Sequence, residues 1–254
     1  MISAARRLAR FFRLLPEVCI NCLRFRVAFL LPRWFRMPAR FRVANRSVAL
    51  QFPEDDGVAA DFIACVLRND YGLGHGLSRI STIVDVGANL GFFSLAARAR
   101  YPKAAIHAYE PNPRIQPLLR SNTAGMEVVI HPEAVGRTDG IGRLIDDGPS
   151  NQARIEVREN GPFNYEVPQV SLAEVLQRAG ARIDLLKLDC EGAEWQILQP
   201  DPSWGFIRNV RFEYHLFHGE TAEQAERAVL NLGFRILHSR RDNSQHGVIW
   251  AARD

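Results

Sequence analysis

The sequence predicts an α/β fold on an open, mostly parallel sheet, and three stretches carry that reading. From Thr82 to Ala99 (TIVDVGANLGFFSLAARA) a β-branched run, Ile83, Val84 and Val86, ends at a turn bearing Gly87, Asn89 and Gly91. Phe92, Phe93, Leu95, Ala96 and Ala99 then recur at helical spacing. The stretch AAIHAYEPNP reads as a second strand, Ala105 to Tyr109, ending in Glu110, and Pro113 can open the next helix. In Ile183–Leu198 (IDLLKLDCEGAEWQIL) an apolar strand, Ile183, Leu185, Leu186 and Leu188, runs into Asp189, Glu191, Gly192 and Glu194. In an open parallel sheet, ligands sit outside the carboxyl ends of such strands.

Taken from the N-terminus, the chain first shows a charge asymmetry. Residues 1–46 hold eleven arginines and one acid, Glu17, a charge of +10, so the remainder carries −6 of the net +4. On a helical wheel Ala5, Leu8, Phe11, Phe12 and Leu15 share one face, and Arg6, Arg7, Arg10 and Arg13 occupy the other. Such a basic amphipathic helix suits peripheral contact with an anionic membrane surface, or it docks its apolar face on the domain. An Arg-rich, acid-poor transit peptide has the same composition. Nucleic acid is disfavoured as a partner: Phe25, Trp34, Phe35 and Phe41 interleave with arginines, but the acidic remainder would repel phosphates. No uncharged run reaches the roughly 20 residues that span a bilayer, and no secretory signal is evident. The expected organisation is an extension, 1–46, and an α/β domain, 47–254. The expected location is cytoplasmic, with any membrane contact peripheral at the inner surface. Cys19, Cys22, Cys65 and Cys190 form no disulfide framework, and the lone C-x-x-C lacks the partners of a metal site.

Next comes a helix near Val58–Leu67, then a loop through Gly72, Gly74 and Gly76 that serves as part of a lid or as a connector. Hairpin-like turns (Asp139-Gly140, Asp147-Gly148, Asn160-Gly161) mark an insertion between Arg137 and Gln169. Ser171 with Glu174, and Thr221 with Gln224, match capping boxes, and Gly233 ends the helix that Thr221 begins.

Spacing narrows the ligand. Gly87-x-x-x-Gly91 is not the Gly-x-Gly-x-x-Gly of dinucleotide sites, and no Gly-Lys-Ser/Thr makes a P-loop. Asp85 at the strand end suits a ligand with an amino group, and S-adenosylmethionine, with its ammonium, carboxylate and sulfonium, fits. Glu110, nineteen residues after Gly91, is placed to accept both hydroxyls of a ribose. Asp189 and Glu191 should face the same crevice as Asp85 and Glu110, whereas Glu194 reads as a first-turn acid serving its helix dipole. The plainer alternatives are glycines that serve only a turn and acids that are merely solvated.

On VDVGANLGFFSL, YEPNP, RSNTAG, EAVGRTDG, the Ser171-Leu172 pair and DLLKLDCEGAEW, in that order between Ile80 and His215, the chain resembles the FkbM family of S-adenosylmethionine-dependent methyltransferases. The resemblance implies the class I methyltransferase fold, a Rossmann-like, doubly wound, mostly parallel sheet of seven strands with helices on both faces. It implies S-adenosyl-L-methionine as cofactor, with Asp85, Gly87, Asn89, Gly91, Glu110, Asn112, Ala134 and Asp189 around it. It further implies O-methylation of a sugar, glycolipid or other small hydroxylated or glycan acceptor. Ala173 stands where the family usually has Asp. Strands are expected near 82–86, 105–109, 127–131, 184–189, 209–214, 233–238 and 247–251.

A neutral hydroxyl benefits from a base that takes its proton, and His215 is the favoured one, with Glu191 and Asp189 beside it and Glu213 and His218 as further candidates. Asp189 and Glu191 could hold a divalent cation, although no spacing calls for a metal. The rival class is a degenerate fold serving as a membrane or partner module. The Asn/Asp-Pro-Pro-aromatic signature of base-amino methylation is absent.

Overall fold

The computed structural model describes residues 4–55, 57–156, 161–217 and 219–253, and of residues 4–13 the backbone alone. The sheet is built from β3 (Thr82–Val86), β4 (Ala105–Tyr109), β5 (Val128–His131), β10 (Leu185–Leu188), β11 (Asn209–His215), β12 (Arg235–Arg241) and β13 (His246–Ala252). Their order is β12-β13-β11-β10-β3-β4-β5, parallel throughout except for β13, which runs against both neighbours. The chain starts in the middle at β3, moves out through β4 and β5, then returns to lay β10 beside β3. That reversal opens the crevice where ligands sit in doubly wound sheets.

Strand alternation sorts the core into two layers. Ile83, Ile106 and Leu185 pack on one face with Phe92, Phe93 and Leu95 of α3 (Phe92–Arg100). Val84, Val86, Leu186, Leu188, Val210 and Phe212 pack on the other, with Val175 and Leu176 of α5 (Leu172–Arg178) and Val229 of α7 (Ala222–Asn231). Ser171 accepts a bond from the Glu174 amide, while Thr221 and Gln224 bond reciprocally as a complete box. Gly233, with φ 83°, closes α7, its amide on the Leu230 carbonyl and the Phe234 amide on Val229. The sixth strand therefore starts at Arg235 rather than 233.

The insertion folds into a second sheet, β6 (Ala134–Gly136), β9 (Tyr165–Ser171), β7 (Gly140–Ile145) and β8 (Arg154–Ile155) in that order. β7 pairs antiparallel with both β8 and β9; Asn160 of the third turn signal lies outside the described residues. The helix expected near 58–67 begins as α2 (Gly57–Phe62) and passes into a single π turn, Ile63–Leu67, with the Arg68 amide on the Ile63 carbonyl at 2.7 Å. Such turns are frequent at functional sites.

The charge boundary at residue 46 is not a packing boundary. α1 (Ala4–Phe25) buries Val18, Asn21 and Phe25, and the hairpin of β1 (Arg40–Val43) and β2 (Arg46–Ala49) buries Phe41, Val43 and Val48. Arg40 and Arg42 alternate with the buried Phe41 and Val43 along β1, so a basic composition coexists with a buried face. Asn21 Nδ2 donates to the Leu67 carbonyl at 3.0 Å, and Asn69 Nδ2 to Glu17 at 3.0 Å. Side chains of the arginine-bearing turns up to Arg13 lie outside the described residues. Phe62 joins the two parts, its ring 5.4 Å from Phe41, 5.7 Å from Phe35 and 5.2 Å from Phe92.

Truncating that ring should show whether residues 35–50 belong to the core. Phe62→Ala is expected to cost about 3–5 kcal/mol in urea unfolding, and a loss under about 1 kcal/mol would separate the hairpin from the domain energetically.

Candidate active site

Between β3 and α3 the chain turns through Gly87 and Gly91, both left-handed at φ 74° and 85°. A Cβ on Gly87 would lie 1.7 Å from the Asp189 carbonyl oxygen, so only glycine lets the ends of β3 and β10 approach. The Gly87 and Ala88 amides bond the Tyr109 carbonyl at 3.1 and 3.0 Å. Glu110 then clamps the loop, accepting from the Asn89 amide at 2.7 Å and the Asn112 amide at 2.9 Å. Burial pushes the Glu110 carboxyl up to about 7, against the pull of those two amides.

A cavity of about 980 Å³ lies over these strand ends. Of the expected cofactor contacts, Gly87, Asn89, Glu110, Ala134 and Asp189 line it, and Asp85, Gly91 and Asn112 do not. Asp85 lies beneath the floor. It is wholly buried, accepts the Ser94 hydroxyl at 2.7 Å and sits 3.2 Å from Lys187 Nζ, its partner across the β3–β10 ladder. A buried ammonium needs a carboxylate, so this acid faces Lys187 rather than a ligand amine. Gly91 packs against Leu119 and Thr123, and Asn112 turns its Oδ1 back on the Arg114 amide.

Lys187 organises the far side. It donates to the Gly87 carbonyl at 2.6 Å and lies 3.5 Å from Asp189 Oδ2. Burial alone would lower its pKa, but Asp85 and Asp189 outweigh it and hold the amine above its usual value. Burial would likewise raise Asp189, yet Lys187, His215 and the Tyr71 hydroxyl outweigh that and hold it below the usual range. The Tyr71 hydroxyl lies 2.7 Å from Asp189 and 3.0 Å from Glu213. Its single proton can serve one carboxylate at a time.

His215 and Glu213 point to the same side, as strand alternation requires, and both line the cavity. His215 is not, however, a free base. Its Nδ1 faces Glu194 at 3.2 Å and its Nε2 faces Glu191 at 3.4 Å. Burial would lower the imidazole, but Glu194 and then Glu191 outweigh it and push it up to about 10. At neutral pH it is an imidazolium with no lone pair to accept a proton. Burial pushes up the carboxyl of Glu191, itself at φ 52°, and the positive charge of His215 pulls it back. Glu194 exceeds the role of a first-turn acid: its carboxylate accepts the Cys190 and Gly192 amides at 2.7 and 2.8 Å, fixing the acidic turn while holding His215. His218 lies outside the described residues. Asp189, Glu191 and His215 each bring one ligand atom within 4.8 Å of the others. A divalent cation there would have to displace the proton that the carboxylates hold on the imidazole.

Sequence reasoning missed three wall residues. Asp61, on α2, accepts Asn89 Nδ2 at 2.9 Å and Asn151 Nδ2 at 3.1 Å, and burial raises it to about 8. Lys187 was visible as a lone charge within LLKL. Tyr71 arrives by the glycine loop, which is neither lid nor loose connector. Trp250 packs where a Cβ of Gly72 would go, the Gly74 amide bonds Tyr101, and Arg211 holds the Tyr71 and His75 carbonyls at 2.9 Å each. The cavity is bridged instead by the insertion, where the Ser150 amide meets Asp55 at 3.0 Å and Asn151 meets Asp61.

A seven-stranded doubly wound sheet with one reversed strand, a glycine turn at its switch point and an acid at the next strand end defines the class I methyltransferases. The sequence profile of the methyltransferase FkbM domain matches residues 85–236, and the chain belongs to that family. It is an S-adenosylmethionine-dependent methyltransferase. Similar proteins are methyltransferase sdnD of Sordaria araneosa, 29% identical over 67% of this chain and 81% of its own length, and the 31-O-demethyl-FK506 methyltransferase FkbM of Streptomyces tacrolimicus, 29% identical over 63% and 73%. Among solved structures, the fibrillarin pre-rRNA processing protein of Methanococcus jannaschii is similar over 89% of this chain and 86% of its own, with TM-score 0.49 and 13% identity.

The charge state of His215 can be read directly. Its ring nitrogens should show imidazolium shifts in NMR up to at least pH 8, and a midpoint near 6.5 would return it to the role of base. Because its folded pKa is raised, its stabilisation is complete below about 6.5 and is lost as pH rises toward about 10.

Proposed function

We propose that this methyltransferase methylates a hydroxyl of a sugar, glycolipid or similar small, hydroxylated acceptor, with Asp189 receiving the hydroxyl proton. The observation that carries the reading is an ionised carboxylate at a strand end, its charge fixed by Lys187 and one oxygen engaged by Tyr71. The wall beyond it, Glu191, Glu213 and Phe217, supports a polyhydroxylated neutral acceptor. Carboxylates accept hydroxyl donors and repel phosphates, and Phe217 presents an apolar face stacked on His215 at 5.4 Å. The name of the Streptomyces relative, a 31-O-demethyl-FK506 methyltransferase, supports oxygen as the acceptor atom.

The cofactor supplies an electrophilic methyl group on a sulfonium. The cavity suits it: Gly87, Ala88 and Asn89 of the glycine turn line it, and Glu110 offers lone pairs to a ribose. In-line displacement at carbon depends on orientation and on excluding water. Here Lys187 and Tyr71 orient Asp189, the insertion and α2 cover the crevice, and His215 balances the surrounding acids.

Two measurements test the two halves of the site. Glu110→Gln should weaken S-adenosylmethionine binding by about 1.5–3 kcal/mol in calorimetry. The wild-type affinity should rise as the carboxyl ionises through about pH 7, and that rise should vanish in the variant.

Asp189→Asn should lower single-turnover transfer to glycoside acceptors by about 10²–10⁴-fold, the contribution of a positioned base, with a methyl ether as product by mass spectrometry. Transfer to amines alone, or an unimpaired Asp189→Asn enzyme, would overturn the reading.

A further inference from the structure

The C-terminal half of α1 is apolar on two sides, and the domain covers only one. Val18, Cys22 and Phe25 face the core. On the opposite side Ile20 and Leu23 are 51% and 81% exposed, with Leu15 beside them, and the following turn adds Leu30 at 70% and Trp34 at 59%. Leu15, Cys19 and Leu23 form one exposed helical stripe.

Charge identifies what would cover it. Arg26, Arg33, Arg36 and Arg40 are exposed around this stripe, and Arg33 lies over the Trp34 ring at 4.4 Å. The one acid among the first 46 residues, Glu17, is turned to the domain, within reach of Asn21, Asn69, His75 and Arg100. Leucines and a tryptophan rimmed by arginines, without an acid, match an anionic bilayer surface. No helix among the described residues is long and apolar enough to cross a membrane. We infer that the protein docks peripherally on anionic lipid through the outer stripe of α1 together with Leu30 and Trp34. This surface is separate from the methyl-transfer cavity, and the proposed acceptor plays no part in the inference.

Co-sedimentation of the full chain with vesicles tests it, using phosphatidylglycerol mixed into phosphatidylcholine against phosphatidylcholine alone. Binding is expected only with the anionic lipid and should weaken as salt rises from 50 to 500 mM. A Leu23→Asp, Trp34→Asp double variant should lose at least about tenfold in partitioning, while its circular dichroism and cofactor affinity match the wild type. Arg33→Gln and Arg36→Gln should each cost roughly fivefold. Equal binding to both vesicle types, no binding at low salt, or a double variant that binds like wild type would overturn the inference. So would lipid-free sedimentation showing that the stripe pairs two copies of the chain, or a preference for RNA over vesicles.

Discussion

The ammonium of Lys187 is the charge around which the site is assembled. It sits in the middle strand pair of a core that excludes water, where an unpaired charge would cost several kcal/mol. Asp85 from the adjacent strand and Asp189 from the end of its own strand compensate it, and the Gly87 carbonyl takes one of its protons. Three consequences follow from one interaction. The glycine turn is tied to β10, the strand ends are held close enough that residue 87 must lack a Cβ, and Asp189 stays ionised despite its burial. The glycine turn and Asp189 are thus oriented by the same buried nitrogen.

A second cation balances the outer acids. Glu191, Glu194 and Asp189 converge on one imidazole, and with both ring nitrogens facing carboxylates the proton is held there. This separates two roles that a histidine near a carboxylate could fill. A histidine with one acid partner and one open nitrogen is poised to accept a proton. His215 has no open nitrogen, so its contribution is electrostatic and orienting, and in the function we propose the proton passes to the carboxylate that its charge helps keep ionised.

How much of this was legible in the sequence depends on how local the signal is. The β-branched run 82–86 and its glycines gave the first strand and turn residue by residue, because strand propensity, turn chemistry and helical spacing all act within a few residues. Ser171 and Thr221 were legible as caps for the same reason. Asp85 was legible as an acid at a strand end but not in its direction. Its layer is set by alternation shared with Ile83, and its partner Lys187 is distant in sequence, joined only by the ladder. The state of His215 was likewise hidden, since Glu194 reaches it from the start of another element. Tyr71 and Asp61 had no motif because their placement depends on Trp250, Arg211 and the π turn.

Those motif-free elements bear most directly on specificity. Asn89 belongs to the cofactor turn, yet its side chain donates to Asp61 on α2, and Asp61 also receives Asn151 from the insertion. One carboxylate therefore joins the turn expected to meet the cofactor, the helix that walls the cavity and the loop that bridges it. Burial keeps its carboxyl near 8, so near neutral pH it can carry a proton and donate as well as accept. The floor of the cavity is dictated by sheet geometry and a buried ion pair. Its cover is assembled from α2 and the insertion, segments outside the sheet that meet over the crevice, and that is where acceptor choice can be written.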